Sequence, residues 1–281
     1  MKRRELIKMS AGTLLAAGLW PGQLNAAETA EATPESNEPW RFIAVNDLHC
    51  MEAKCRPWFD QVVAAMKQET PDARFCLICG DLADGGTEWQ IRNIKEAFAA
   101  LDMPVFVTPG NHDYITDTDS SGFEAVYPGP RNRFFEVRGW QFVGLDSTDG
   151  TRWEKTSIHA PTFAWLDENL PKLSRTKPTV IYTHFPMGEG AKYRPLNADA
   201  LLENFLDFNL QAVLSGHWHA YTLTQFHDAS CTTNRCCSRV RDNHDDTKEK
   251  GWFVCEIEGG KLNRRFIEIP AILRGGKGHS S

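Results

Sequence analysis

Seven side chains that can bind metal ions lie just after short apolar runs of the chain. They are Asp47, His49, Asp81, Asn111, His184, His217 and His219. Imidazole, carboxylate and amide groups in one set suit hard or borderline divalent cations, and such a set requires no thiolate. The residue types therefore predict a site for two divalent metal ions.

These side chains occur in five short motifs, and three of the motifs place a glycine directly before a ligand. The motifs are Asp47-Leu48-His49, Gly80-Asp81, Gly110-Asn111-His112-Asp113, His184-Phe185-Pro186 and Gly216-His217-Trp218-His219. Because glycine has no Cβ, it allows a sharp exit from a strand or a close approach of the backbone to the ions. One motif alone would be weak evidence, whereas all five together are specific.

The segments before the motifs have the pattern of an α/β layer fold. Apolar runs without alternation are typical of strands covered on both faces, and they occupy residues 42–45, 75–79, 105–107, 180–182 and 212–214. Ligands in an open α/β sheet bind beyond the carboxyl ends of the strands. We therefore expect five strand ends to converge on one crevice.

Helices are predicted between these strands, and antiparallel strands are predicted mainly towards the end of the chain. One helix begins near Pro57, a second covers about residues 88–101, and two more include residues 163–170 and 201–206. Residues 134–146, 221–226 and 252–269 are expected to be antiparallel, and the last segment turns at Gly259-Gly260.

From Phe42 to His219 the five motifs, in this order, resemble the calcineurin-like metallophosphoesterase superfamily. The resemblance implies a four-layer α/β/β/α sandwich in which mixed β-sheets are flanked by helices. It also implies one metal site from Asp47, His49, Asp81 and His219, and a second from Asp81, Asn111, His184 and His217. Asp81 would bridge the two ions. We expect iron or manganese in these sites, with zinc as an alternative.

The resemblance also implies the reaction. Two ions that share a bridging carboxylate and lie about 3.5 to 4 Å apart can both bind one phosphoryl group, and a hydroxide between them can attack phosphorus. We expect a phosphate monoester or diester as the small-molecule substrate; the alternatives are a nucleotide- or lipid-linked pyrophosphate and a cyclic nucleotide. His112 would protonate or stabilise the leaving oxygen, and Asp113 would orient the His112 ring. A binding protein that retains the metals without turnover is the alternative outside the enzyme class.

Two positions depart from patterns of the family. Relatives that act on cyclic nucleotides commonly have His-His-Pro where this chain has His184-Phe185-Pro186, and a phenyl ring can neither bind metal nor donate a hydrogen bond. Purple acid phosphatases have a tyrosine where this chain has Asp84, so a coloured iron-phenolate centre is not expected. Asp84 itself is expected to be a solvated loop residue or a helix cap.

The N-terminus resembles a twin-arginine signal peptide, because Arg3 and Arg4 precede a short, mildly apolar run. We expect residues 1–27 to be removed after export by the twin-arginine machinery, to the periplasm or the cell exterior. That run is too short and too rich in glycine for a stable membrane anchor. Residues 28–39 read as a disordered linker, 40–270 as the phosphoesterase domain and 271–281 as a flexible tail.

The net charge and the cysteines of the chain lead to two further predictions. Removing residues 1–27 takes the net charge from −6 to −9, which offers no attraction to nucleic acid. One or two disulfides are expected around residues 228–250, among Cys231, Cys236, Cys237 and Cys255. A further pair between Cys50 and Cys55 would lie near the rim of the site, since Cys50 follows a ligand histidine. Cys76 and Cys79 lie in a predicted strand and are interpreted as core residues.

Three loops are expected to contact substrate: residues 114–133, 147–161 and 187–197. Their candidate binding side chains are Arg131, Arg133, Arg152, Lys192, Tyr193 and Arg194. Four histidines lie outside the motifs and are expected to be solvated: His159, His227, His244 and His279. If one of them lies at the site instead, we expect it to be His227, which is eight residues past His219.

Overall fold

A computed structural model describes residues 38–269 of the protein. The predicted signal peptide, residues 28–37 of the linker and the tail from 271 onward lie outside these residues. Within residues 38–269, no helix is both long enough and apolar enough to cross a membrane.

The described chain contains eleven strands and five α-helices. The strands are β1 Trp40–Val45, β2 Ala73–Cys79, β3 Val105–Thr108, β4 Arg133–Val137, β5 Trp140–Leu145, β6 Thr179–Thr183, β7 Leu210–Ser215, β8 Thr222–Phe226, β9 Ala229–Thr233, β10 Gly251–Glu258 and β11 Lys261–Glu268. The helices are α1 Arg56–Glu69, α2 Glu88–Ala99, α3 Ser121–Val126, α4 Ala160–Asn169 and α5 Ala198–Leu202.

The strands form two mixed sheets. The first has the order β11-β10-β1-β2-β3, and the second has the order β4-β5-β6-β7-β9-β8. In the first sheet β1, β2 and β3 are parallel, while in the second β5, β6, β7 and β9 are parallel. The hairpin of β10 and β11 is antiparallel, as predicted from Gly259-Gly260.

Three apolar layers separate four layers of structure. Alternate side chains of β1 point to different layers: Phe42 packs between the two sheets, against Phe142 of the second sheet, whereas Ile43 packs against α1 and α2. The other face of the second sheet is covered by α4 and α5. This arrangement confirms the predicted α/β/β/α sandwich, and it explains why these strands lack alternation, since both faces are buried.

All eight cysteines are buried free thiols, so the predicted disulfides are not formed. For Cys231, Cys237 and Cys255 the physical reason is that they pack in separate layers, whereas Cys50 and Cys55 share one core. Cys237 contributes to the core beneath α1, Cys255 to the core between the sheets, and Cys231 to the core beneath α4 and α5. Cys76 and Cys79 are core residues of β2, as predicted.

Candidate metal centre

The predicted ligands come together at the carboxyl ends of five parallel strands. The first sheet supplies those after β1, β2 and β3, and the second sheet supplies those after β6 and β7. Asp47, His49, Asp81 and His217 have positive φ angles of 46° to 64°. Residues other than glycine are uncommon in this left-handed backbone conformation and keep it where the surrounding structure imposes it, which occurs often at functional sites.

Two glycines make room for the ligands, as the sequence predicts. A Cβ on Gly80 would lie 2.4 Å from His184 Nδ1, and a Cβ on Gly110 would lie 2.2 Å from Asp81 Oδ1. Neither neighbour is free to move, because both are buried side chains of the site.

The first group of ligands is Asp47, His49, Asp81 and His219, whose donor atoms can surround a single ion. His219 Nε2 lies 3.3 Å from Asp47 Oδ1 and 3.2 Å from His49 Nε2. All four side chains are buried. Burial alone would raise the pKa of Asp47, but the nearby His219 outweighs it and holds the pKa of Asp47 well below its usual value.

The second group is Asp81, Asn111, His184 and His217. His184 Nε2 lies 3.1 Å from Asn111 Oδ1, 3.2 Å from His217 Nδ1 and 3.4 Å from Asp81 Oδ1. Asp81 belongs to both groups, since its Oδ1 faces His184 while its Oδ2 lies 3.5 Å from His49 Nε2. The carboxylate is thus placed to bridge two ions.

The two histidines of the second group each hydrogen-bond to a backbone carbonyl through the ring nitrogen that points away from the other ligands. His184 Nδ1 bonds to the Cys79 carbonyl at 3.0 Å, and His217 Nε2 bonds to the Trp153 carbonyl at 2.8 Å. Because a carbonyl can only accept, those nitrogens carry protons, and in the neutral form of each ring the nitrogen that faces the other ring is then a lone pair. Burial and the neighbouring His184 lower the pKa of His217 to about 3, so its ring is neutral. Acceptors that converge in this way fit a divalent cation.

His112 lies next to the ligands but belongs to neither group. Its ring packs at 4.7 Å from the His49 ring, centroid to centroid, and its Nδ1 bonds to the Asp84 carbonyl at 3.0 Å. The backbone N–H of His112 donates to Asp81 Oδ1 at 2.8 Å. The structure therefore fixes the ring by Nδ1 and leaves Nε2 as the atom available to a substrate.

The predicted contact of Asp113 with the His112 ring is wrong. The Asp113 carboxylate is fully buried and accepts hydrogen bonds from the backbone N–H groups of Ala83 and Gly110, at 2.8 and 2.9 Å. Burial, reinforced by the charge of Asp81, raises the pKa of Asp113 to about 7. Asp113 braces the turns that carry the ligands and does not face the ring.

Asp84 is the residue that the sequence interpretation misplaced most clearly. Its side chain is only 13% exposed, and its Oδ1 lies 3.2 Å from His49 Nδ1, the nitrogen that faces away from the first group. The same oxygen accepts from Arg241 Nε at 2.7 Å. Together with its carbonyl bond to His112, Asp84 supports both a ligand and the predicted acid.

Residues 234–250, here called the trailing loop, contain no helix or strand but contact the first group of ligands. The Asp242 carbonyl accepts from His219 Nδ1 at 3.0 Å, and the His244 ring stacks on the His219 ring at 4.5 Å. His244, and not His227, is thus the additional histidine at the site.

Hydrogen bonds inside the trailing loop replace the expected disulfides. The buried ammonium of Lys250 donates to the Arg241 carbonyl at 2.5 Å and lies 2.9 Å from Cys236 Sγ. The Asn243 side chain donates to the carbonyls of Thr247 and Glu249. The loop therefore holds its shape without covalent links.

Most of the basic residues predicted to bind substrate have partners within the protein. Arg131 pairs with Glu124 and Asp146, Arg194 pairs with Asp199, and Arg152 lies 3.8 Å from Asp149. Arg133 donates to the Pro130 carbonyl. Lys192 and Tyr193 are the two candidates that lie beside the ligand histidines, through contacts with Trp218 and His217.

Comparison with known proteins agrees with this geometry. The family described as "Calcineurin-like phosphoesterase" matches residues 41–221, a range that includes the ligands of both groups. The chain belongs to the calcineurin-like phosphoesterase family. It is a hydrolase of phosphoesters, and its clustered histidine and aspartate side chains could hold a dinuclear metal centre.

Several known proteins are similar to this chain. The serine/threonine-protein phosphatase CPPED1 of Mus musculus is 24% identical over 241 residues, which cover 77% of this chain and 75% of that protein. The 3',5'-cyclic-nucleotide phosphodiesterase alr5338 of Nostoc sp. is 29% identical over 53% of this chain and 57% of its own length. The structure of GAP50 of Plasmodium shares the fold, with a TM-score of 0.58 at 15% identity over 82% of this chain and 84% of that one.

Proposed function

We propose that this protein hydrolyses a small-molecule phosphate monoester or diester with the help of two divalent metal ions, iron or manganese by preference. The observation that carries the proposal is the convergence of buried acceptor atoms on both oxygens of Asp81. The names of its relatives, a phosphatase and a cyclic nucleotide phosphodiesterase, support this class of reaction.

When bound, two divalent ions supply Lewis acidity to the phosphoryl oxygens and make water a stronger nucleophile at neutral pH. Asp81 would contribute one carboxylate oxygen to each ion, and Asn111 would limit the negative charge of the site because its oxygen is neutral. The Asp84 carbonyl accepts from His112 Nδ1, so Nε2 would give a proton to the leaving oxygen from the imidazolium form of the ring, in which both nitrogens carry protons. Phe185 is fully buried and packs on the His217 ring at 4.1 Å, where it can shape the site but not exchange protons.

A metal-dependent ester panel tests this proposal. The metal-loaded protein is expected to hydrolyse aryl phosphate monoesters or diesters, to lose that activity after exhaustive chelation, and to regain it with manganese or iron. Cyclic nucleotides and pyrophosphates form two further arms that separate the alternative substrates. Full activity after the metals have been removed would end the proposal.

We also propose that the protein is exported by the twin-arginine machinery. The order of Arg3, Arg4 and the following apolar run supports the proposal. Replacing both arginines by lysine keeps the charge but should leave an uncleaved precursor in the cytoplasm. Equal export of the unmodified protein and the double-lysine variant, measured by cell fractionation, would disprove the proposal.

A further inference from the structure

Three aromatic side chains lie beside the ligand His217 and are called the aromatic rim: Trp153, Tyr193 and Trp218. The Tyr193 ring is 5.3 Å from the Trp153 ring, 5.4 Å from the Trp218 ring and 5.5 Å from the His217 ring, centroid to centroid. The three residues come from the loops that follow β5, β6 and β7. They therefore lie at the same end of the sheet as the metal ligands, where α/β folds bind small molecules.

The aromatic rim is fixed to the metal centre by the backbone. The carbonyl of Trp153 holds His217 Nε2, and Trp218 lies between the two ligand histidines of its motif. Tyr193 has a φ angle of +59°, a left-handed conformation that a bulky residue keeps only where its surroundings demand it. A group bound at the metal centre would thus lie within reach of the rim.

The rings of the aromatic rim are partly open to solvent. Trp153 is 52% exposed, and Tyr193 and Trp218 are half-buried. An exposed indole or phenol ring offers a flat apolar face on which another planar ring can stack. The Lys192 ammonium lies 4.3 Å from the centre of the Trp218 ring, so the rim also carries a positive charge.

Nearby cations do not form a second phosphate-binding cluster. The guanidinium of Arg194 is held by Asp199 and by the Met187 carbonyl, and that of Arg152 lies near Asp149. What the rim presents to a bound ester is mainly aromatic surface. The organic part that matches it is planar and aromatic, in contrast to an alkyl chain or a polyphosphate.

We propose that the aromatic rim binds a planar aromatic group of the phosphoester, either a nucleobase or an aryl ring, and so selects aromatic over alkyl esters. This inference rests on the proposed function, because it takes the phosphoryl group to lie at the metal centre. It assigns specificity to Trp153 and Tyr193, which neither bind metal through their side chains nor transfer protons.

Binding of phosphonates that cannot be hydrolysed tests the proposal without turnover. Calorimetry on the metal-loaded protein compares phenylphosphonate, the methylenephosphonate analogue of adenosine monophosphate, and methylphosphonate. We expect at least one aromatic ligand to bind roughly tenfold more tightly than methylphosphonate, because one stacked ring contributes about that much. Trp153→Ala and Tyr193→Ala should abolish the preference while the measured metal content stays unchanged.

Trp89→Ala is the matched control, since Trp89 is also an exposed tryptophan, at 49%, but lies on α2. It should keep the full preference. Whichever of the two aromatic ligands binds more tightly shows whether the rim prefers an aryl ring or a nucleobase. Equal binding of aromatic and methyl phosphonates by the unmodified protein, with ester hydrolysis intact, would overturn this inference alone. Absence of both phosphonate binding and ester hydrolysis would overturn the proposed function as well.

Discussion

The metal ligands and the groups that support them lie in two different kinds of backbone. The ligands follow regular strands within residues 41–221, the range that matches the family, and they are held by short turns from both sheets. The trailing loop lies outside that range and has no regular structure, but it supplies Arg241 to Asp84 and the Asp242 carbonyl to His219.

The strand ends and the trailing loop therefore have different roles at the site. The strand ends fix which atoms would meet the ions, because both sheets are buried and their register is set by packing. The trailing loop fixes the orientation of two ligand rings from behind, and such supporting contacts tune metal affinity without touching the metal. It contacts His49 indirectly, through Asp84, and His219 directly, so its influence is expected on the first group of ligands.

The strongest test of the strand-end region is Asp81→Asn. An amide cannot bridge two cations as a carboxylate does, so both positions should lose metal, and the rate should fall by about a thousandfold or more. Metal analysis and ester hydrolysis measure the two effects. Asp60→Asn on the exposed face of α1 is the matched control and should change neither. Normal metal content in Asp81→Asn would show that the two groups do not share this ligand.

The next largest effect is expected for His112→Ala, which separates chemistry from metal binding within the strand-end region. The rate constant kcat should fall by about 10²- to 10⁴-fold, because the leaving oxygen loses its proton donor. Both metal ions should remain bound, since His112 belongs to neither ligand group. An unchanged rate would show that another group assists the leaving oxygen.

Arg241→Ala probes the trailing loop, where a smaller and more selective effect is expected. Removing the guanidinium frees the Asp84 carboxylate that faces His49, and affinity at the first group should fall about 10- to 100-fold while the second group keeps its ion. Stepwise metal titration measures this. Arg239→Ala removes a surface pair with Glu52 and serves as control. If both binding steps weakened equally in Arg241→Ala, the two regions would not differ in the way proposed here.

The sequence predicted the strand-end region well because its signals are local. A ligand residue directly after a buried apolar run marks a strand end, and parallel strand ends meet at one edge, so Asp81, His184 and His219 could be placed together from their positions alone. Close packing at Gly80 and Gly110 followed from the same positions. Runs without alternation, such as residues 75–79, predicted buried strands of an α/β fold, whereas the four-layer order was implied by the resemblance to the family.

The trailing loop could not be predicted in the same way. Arg241 is 157 positions from Asp84, and no local pattern joins them. The carbonyl of Asp242 supports His219 through the backbone, which leaves no mark on residue type. The polar composition around Cys236 suggested disulfides, whereas buried hydrogen bonds from Lys250 hold this segment. Asp113 was misassigned because adjacency to His112 in sequence does not set the direction of its side chain.

The central claim is that the strand ends hold two ions on either side of Asp81. Anomalous scattering from crystals of the manganese-loaded protein tests it most directly. We predict two peaks about 3.5 to 4 Å apart, one among Asp47, His49 and His219 and the other among Asn111, His184 and His217. A single peak, or peaks away from Asp81, would contradict the claim.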